Sequence, residues 1–334
     1  MSVLVTGGAG YIGSHMVLRL LGDGEQTIVL DNLATGHRWA VADGATFIVG
    51  DIGDKELTSR IVREHGVDAI IHFAGSTSVP ESVTDPLAYY ENNTVKSRSL
   101  IEVAVEAGVK HFIFSSTAAI YGHTKENPVT EDALLAPISP YGTSKMMTEL
   151  MLRDASNAHD LNTIALRYFN VAGADPEGRA GQSSPHATHL IKVASEVVVG
   201  KWPVMEIYGT DYDTPDGTCV RDYIHVTDLV DAHALALSYL RAGRESQVLN
   251  CGYGRGYSVR EVIEAVKQAS GVDFEVREAD RRLGDPPELV ASAERIGSEF
   301  NWRPKFDDLQ TIVSQALAWE KQLMQRQRSG DASN

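Results

Sequence analysis

Short, β-branched apolar runs alternate with amphipathic segments through the first half of this chain, and that alternation limits the fold more than any single motif. The runs cover residues 3–5, 28–30, 47–49, 69–71, 112–114 and 164–166. Between most of them lie stretches with helical periodicity, at 12–21, 57–65 and 86–107. Strands that are apolar throughout are buried on both faces, and the helices between them supply the cover. The expected class is therefore α/β, a Rossmann-type doubly wound parallel sheet. From about Asp175 the rhythm breaks. Gly, Pro, Ser and His crowd residues 173–185, a helix is expected over 187–199, and further helices over 259–269 and 308–324. We assign residues 1–173 to this Rossmann-type domain. Residues 174–324 are expected to form mainly a smaller mixed α/β domain, with some segments returning to pack on the first. The polar stretch 325–334 is expected to be a flexible tail.

The stretch TGGAGYIGSH follows the first strand directly, with glycines at Gly7, Gly10 and Gly13. In a strand–turn–helix context the first glycine allows the tight turn. The second lets backbone approach a pyrophosphate, and the third lets the helix pack close to the sheet. Amide groups at the helix start, around Tyr11 and Ile12, then face the phosphates. A glycine pattern alone is weak, but here Asp31, followed by Asn32, ends the second strand. A carboxylate at that place accepts hydrogen bonds from a ribose and repels a 2′-phosphate, which favours NAD over NADP. Arg38 keeps the NADP alternative in view. Asp51 and Ile52 end the third strand and suit an adenine contact. Phe73, Ala74 and Gly75 end the fourth, on the edge where such sheets bind ligands. Each of these last two sites, taken singly, is equally consistent with an ordinary strand-end turn.

The fifth strand ends in Ser115-Ser116-Thr117, and SPYGTSK follows, with Tyr141 and Lys145 four apart on one helical face. Tyr-x-x-x-Lys is common on surface helices. Behind this glycine loop it suggests a phenol whose pKa, ordinarily about 10, is drawn down by an ammonium and an oxidised nicotinamide. Such a phenol removes the proton of an alcohol while its carbon gives hydride to NAD. Thr117 is placed to orient the same hydroxyl.

Bulk properties exclude other classes. Net charge is −15 and the pI is near 5.1, so neither a nucleic-acid nor an anionic membrane surface is expected as partner. An anionic ligand must be held by local arginines and helix ends. Glycines and polar residues break the apolar start after Val5, so no signal peptide is expected, and no apolar run nears the roughly 20 residues that span a bilayer. Cys219 and Cys251 are far apart and read as reduced thiols of a cytoplasmic protein. No metal is expected. The stretch DYDTPDG (211–217) has Pro215 and Asp216 where a calcium loop needs a ligand and a glycine. His186 and His189 lack further metal-ligating neighbours.

The motifs GGAGYIGSH, DNL, HFAG, YYENN, FSSTAAIYG, SPYGTSK, LRYFNVAGA and DGTCVRDYIHVTDL together resemble the UDP-glucose 4-epimerases of the extended short-chain dehydrogenase/reductase group. The likeness covers roughly residues 2–323. It implies an NAD-dependent isomerase that oxidises a UDP-sugar at C4, lets the 4-keto sugar turn over, and returns hydride to the opposite face. It implies Tyr141 as base, Lys145 as the residue that lowers its pKa and binds the nicotinamide ribose, and Thr117 as partner of the 4-hydroxyl. Asn92 and Phe169 match cofactor contacts. Arg221 and Arg282 match diphosphate contacts. Asn170, Ile207, Tyr208 and Asp285 match contacts to the sugar nucleotide, and His189 and Leu190 match pocket wall. A homodimer joined through helices of the first domain is the corresponding expectation. The chain departs from the pattern at Thr77, where a lysine is usual, at Thr117, where serine is usual, and at Ala119, where a threonine is common. Leu289 lies where either a tyrosine or a small residue limits room beside C2, so UDP-N-acetylhexosamines and UDP-xylose stay open as substrates. A nucleotide-sugar 4,6-dehydratase needs an Asp-Glu pair after Thr117, and Ala118-Ala119 stands there instead. A non-catalytic NAD sensor has no need of Tyr141 and Lys145.

Overall fold

The structure is a computed structural model and describes every residue except Lys125, His186, Ala187, Leu283 and 330–334. The first half runs β1 (Ser2–Thr6), α1 (Tyr11–Gly22), β2 (Gln26–Asp31), β3 (Thr46–Val49), α2 (Lys55–Glu64), β4 (Ala69–His72), α3 (Val79–Thr84), α4 (Pro86–Tyr89), α5 (Lys96–Glu106), β5 (His111–Thr117), α6 (Pro140–Ala158) and β6 (Asn162–Tyr168). It continues through β7 (Asn170–Ala172), α7 (Leu190–Val198), β8 (Met205–Tyr208), β9 (Val220–His225), α8 (Val226–Arg241), β10 (Gln247–Cys251), β11 (Gly256–Ser258) and α9 (Val259–Ser270). The last elements are β12 (Val276–Ala279), β13 (Glu288–Leu289), α10 (Glu294–Phe300) and α11 (Leu309–Ser329).

A seven-stranded parallel sheet has the order β10-β6-β5-β4-β1-β2-β3. The direction of strand addition reverses between β1 and β4. Their carboxyl ends therefore open a crevice, the place where such sheets bind ligands. Alternate residues of one strand feed opposite cores, as the period of two requires. Val3 and Val5 enter a cluster with Met16, Leu20 and Leu229 of α1 and α8, and Leu4 enters another with Ile61, Leu100 and Leu152 of α2, α5 and α6. These strand side chains have no exposed surface. Each contributes roughly 1.5–3 kcal/mol by burial.

Residue 173 is not where the large sheet ends. β10 returns as its edge strand beside β6, and α8 completes one of its two cores. The second half also makes smaller sheets of its own. β9 pairs with β11 antiparallel and with β13 and β7 in parallel, and β12 pairs with β8. The apolar faces of α7, α9 and α11 pack together there around Ile191, Val262, Val266, Ile312 and Val313. Helix α9 begins with a reciprocal Ser258–Glu261 capping box and stops at Gly271 in the left-handed conformation.

Three helical expectations need correction. The stretch 86–107 is not one α-helix, because a π-helical segment, Tyr90–Val95, separates α4 from α5. The wider turn sets Asn92 and Asn93 against Ser76. Residues 325–329 continue α11 rather than fraying, while 330–334 lie outside the described residues. The helix expected from 187 begins at Leu190, and Ala187 is not among the described residues.

Candidate active site

The glycine loop is packed too closely for side chains. Gly7 has φ +71°, and a Cβ on it would lie 2.6 Å from the amide nitrogen of Ala74 at the end of β4. A Cβ on Gly13 would lie 2.1 Å from the Gly7 carbonyl oxygen. Asp31 is already bonded to this turn. It accepts hydrogen bonds from the Ala9 amide at 2.9 Å and the Leu33 amide at 2.8 Å. Asp51 accepts from Lys96 Nζ at 2.6 Å, from the Gly53 amide at 2.8 Å and from Asn32 Nδ2 at 3.2 Å. Burial raises its pKa, but these bonds outweigh that effect and hold the carboxyl below its ordinary value. Ile52 is buried in the core beside them. The Tyr11 hydroxyl donates to the Gly173 carbonyl at 2.7 Å, tying the loop to the second half. Arg38, which kept the NADP alternative in view, stacks over Phe47 with its guanidinium 5.0 Å from the ring centre.

Across the crevice, Ser139 caps α6 by accepting from the Gly142 amide at 3.2 Å, and Pro140 supplies the first helical residue. This start brings Tyr141 and Lys145 inward, and both are buried. The Tyr141 phenol has Thr117, at the end of β5, as its polar neighbour. Burial raises its pKa above the ordinary value of 10.0, and the interaction with Thr117 opposes that rise. The Lys145 Nζ donates to the Ser115 carbonyl at 3.0 Å and lies 5.0 Å from the Phe114 ring centre, and burial lowers its pKa to about 8.

Several groups around this pair, Asn92 apart, were not singled out in the sequence. Asn93 accepts from the Ser76 amide at 2.8 Å and donates to the Ser76 carbonyl and Ser144 Oγ, joining the loop after Gly75 to α6. Asn92 Nδ2 donates to Ser76 Oγ at 2.9 Å. The Tyr89 ring meets Tyr141 edge-on at 6.5 Å. Glu149 did have a signal, since it repeats the Tyr141–Lys145 interval on the same helical face. It receives Ser116 Oγ and pairs with the buried Arg167 at 2.7 Å. Arg167 in turn donates to the Tyr121 hydroxyl at 3.0 Å.

The second half supplies the opposite wall. Leu289 on β13 is in register with Arg221 on β9, and it shares a buried cluster with Phe169 and Ala118. Arg221 donates to the Val220 and Pro287 carbonyls and lies 3.7 Å from Asp285. The Arg282 guanidinium stacks 3.8 Å from the centre of the Tyr208 ring, next to the buried Ile207. Asn170, His189 and Leu190 line one hollow together with Tyr223 and Trp319. His189 Nδ1 is 2.8 Å from Gln182 Nε2. His186, weighed above as a metal ligand, lies outside the described residues. The carboxylates of 211–217 point to different partners, Asp211 to Arg281 and Asp216 to Thr218 and Ser258.

A glycine turn with a ribose-side carboxylate, facing a buried tyrosine and lysine on one helix, defines a dinucleotide-dependent enzyme of the short-chain dehydrogenase/reductase class. The backbone approach at Gly7, Gly10 and Gly13 fits a pyrophosphate, and Asp31 fits an unphosphorylated ribose. A model of the NAD dependent epimerase/dehydratase family matches residues 3–252. UDP-glucose 4-epimerase from Azospirillum brasilense is 56% identical over 323 residues, 97% of this chain and 93% of its own. The UDP-Glc/GlcNAc 4-epimerase structure from Campylobacter jejuni is 49% identical, with TM-score 0.84 over 96% of this chain and 99% of that one. The UDP-glucose 4-epimerase of Brucella ovis, solved in complex with NAD, is 42% identical with TM-score 0.92, covering 95% of this chain and 97% of that one. The chain belongs to the NAD dependent epimerase/dehydratase family, and NAD is its cofactor.

Proposed function

We propose that this protein is an isomerase that inverts C4 of a UDP-sugar, with UDP-galactose and UDP-glucose as its principal pair. The observation that carries the reading is the buried Tyr141 phenol beside Thr117, with Lys145 on the same helix, across from the glycine loop. NAD, when bound, supplies a reversible acceptor for the C4 hydride. Tyr141 takes the proton of the 4-hydroxyl as hydride leaves C4, and gives it back when hydride returns. Thr117 orients that hydroxyl. Lys145, held by the Ser115 carbonyl, binds the nicotinamide ribose. Gly7, Gly10, Tyr11, Ile12, Gly13, Asp31, Asn32, Asp51, Ile52, Phe73–Gly75, Asn92 and Phe169 hold the cofactor.

Arg221 and Arg282 hold the diphosphate against the protein's overall negative field. Asn170, His189, Leu190, Ile207, Tyr208 and Asp285 hold the rest of the nucleotide sugar. On this reading residues 1–173 are mainly the cofactor part and 174–324 mainly the substrate part. Leu289 sets the room beside C2, and its intermediate size supports some tolerance of larger or smaller sugars. Ala118-Ala119 offers no acid–base pair and counts against dehydration.

Two further statements belong to the same reading. Val83, Leu87, Val95, Met147 and Leu150 are apolar and exposed on α3 to α6, which supports a homodimer formed through those helices. Cys219 and Cys251 are buried and form no disulfide, which supports a reducing, cytoplasmic setting; the proposed UDP-galactose and UDP-glucose pair would place the protein in galactose metabolism. Among the described residues no helix is long and apolar enough to cross a membrane.

The test is conversion of UDP-galactose by the purified protein. UDP-glucose should form with no NADH accumulating in solution at 340 nm. Stoichiometric NADH, or recovery of unchanged UDP-galactose, would overturn the reading.

A further inference from the structure

Four segments distant in sequence meet on the outer side of the glycine loop. The His37 amide donates to the Ala9 carbonyl at 3.0 Å, and a Cβ on Gly36 would lie 2.8 Å from the Ala9 carbonyl carbon. The turn after β2 is therefore seated on the phosphate-binding turn itself. His37 Nε2 donates to the Ser183 carbonyl at 3.1 Å, and Trp319 Nε1 on α11 donates to Ser183 Oγ at 3.2 Å. Gly181 lies directly under the Trp319 indole, where a Cβ would come 2.3 Å from the ring. The rings continue the contact. His37 stacks on Trp39 at 5.1 Å and 14°, Trp39 meets Trp319 at 6.2 Å, and the Arg326 guanidinium lies 5.1 and 5.6 Å from the two indoles.

This arrangement puts segment 181–184 between the glycine loop and the C-terminal helix. Gly10, Tyr11, Thr35, His37, Ser183 and Ser184 line one hollow, so the outer wall of the phosphate groove is made by residues some 170 positions away from its floor. Helix α11 is itself fixed beneath the clasp. Glu320 receives both Lys192 and Lys201 in a buried cluster, and Gln322 donates to the Gly178 carbonyl at 3.1 Å. Segment 181–184 is thus packed against the glycine-loop side through His37 and against α11 through the Trp319 indole.

We propose that Trp39, Trp319 and Arg326 form an aromatic clasp that holds segment 181–184 over the cofactor's phosphates and sets how slowly NAD is released. The inference rests on NAD being the resident cofactor, and its readout does not require epimerase turnover. Holoenzyme is passed through a desalting column, and NAD freed from the protein over time is measured by enzymatic cycling. Trp319→Ala should release NAD on the order of tenfold faster than the unaltered protein, and Arg326→Ala about threefold faster. Trp319→Phe keeps the stack and should release at an intermediate rate. Turnover per bound NAD should stay within about twofold in Arg326→Ala, whose side chain lines neither hollow. Release rates within about twofold of the unaltered protein in the folded variants would overturn the proposal. So would variants that melt earlier with and without NAD by the same amount, yet release it at the normal rate. Arg326 is half-buried near the end of α11. If Trp319→Ala does not fold, the release rate of Arg326→Ala alone decides.

Discussion

The two walls of the crevice are built differently. On the glycine-loop side the polar groups are bonded by short contacts within the protein. Asp31 is held by two backbone amides, Asp51 by Lys96 and an amide, and Asn93 by the amide and carbonyl of Ser76. On the opposite side the cations meet carbonyls, a more distant carboxylate and an aromatic face. Arg221 leans on backbone carbonyls with Asp285 at 3.7 Å, and Arg282 rests on a tyrosine ring. Fixed donors and acceptors lower the ordering cost of binding. On the proposed reading, the first wall holds the cofactor and the second takes up and releases the substrate in every cycle.

The largest expected effect concerns the group between the walls. Tyr141→Phe should lower kcat by about 10³-fold, as loss of a general base does, with NAD content unchanged. Near-normal turnover would remove Tyr141 as the proton carrier. The contrast between the walls is tested by a pair of variants. Asp31→Ala strips two amides of their acceptor and should weaken NAD retention on the order of a hundredfold, with little effect on the substrate KM of the loaded enzyme. Arg282→Ala should do the reverse, raising KM about tenfold and leaving NAD content alone. If both variants change the same parameter, the two walls are not independent.

A pH measurement sharpens the cost of that preorganisation. Lys145 is buried and its pKa falls from 10.5 to about 8. Its ammonium therefore disfavours the fold at pH values below about 8, and the penalty is relieved as pH rises from about 8 to 10.5. In cofactor-stripped protein, Lys145→Met should gain stability at pH 7. That gain should shrink above pH 8 by up to roughly 1.4 kcal/mol per pH unit, read from denaturant midpoints. A gain that is flat with pH would show that the buried cation carries no such penalty. The smallest effect is expected at Leu289. Leu289→Tyr should reduce activity on UDP-N-acetylglucosamine relative to UDP-glucose by about fivefold, which is about 1 kcal/mol, the low end of what a pocket wall discriminates. An unchanged ratio would show that the position is not a gate.

Much of the first wall was legible because it is local. A strand, a glycine turn and a helix are consecutive in the chain, and Asp31 follows at the end of the next strand. The second wall was not legible from patterning, because Arg221, Arg282 and Leu289 come from separate loops and short strands whose pairing no periodicity announces. Their assignment came from family resemblance alone. The strand contact of Lys145 was hidden for a related reason. Helical spacing places two side chains on one face, but it does not say that the Ser115 carbonyl will accept from the ammonium. The same limit hid the π-helical turn that sets Asn93 against Ser76.

The sequence by itself determined the parallel sheet, the phosphate turn and the tyrosine–lysine face, since each depends on residue spacing within a single element or its immediate neighbour. Tertiary structure alone decided that β10 and α8 complete the first sheet and its core, that Glu149 and Arg167 lie buried together beside Ser116, and that α11 reaches back over the cofactor loop. Those contacts join residues tens to hundreds of positions apart. They form only when the packed cores fix the relative positions of whole elements, and a linear pattern does not encode those positions.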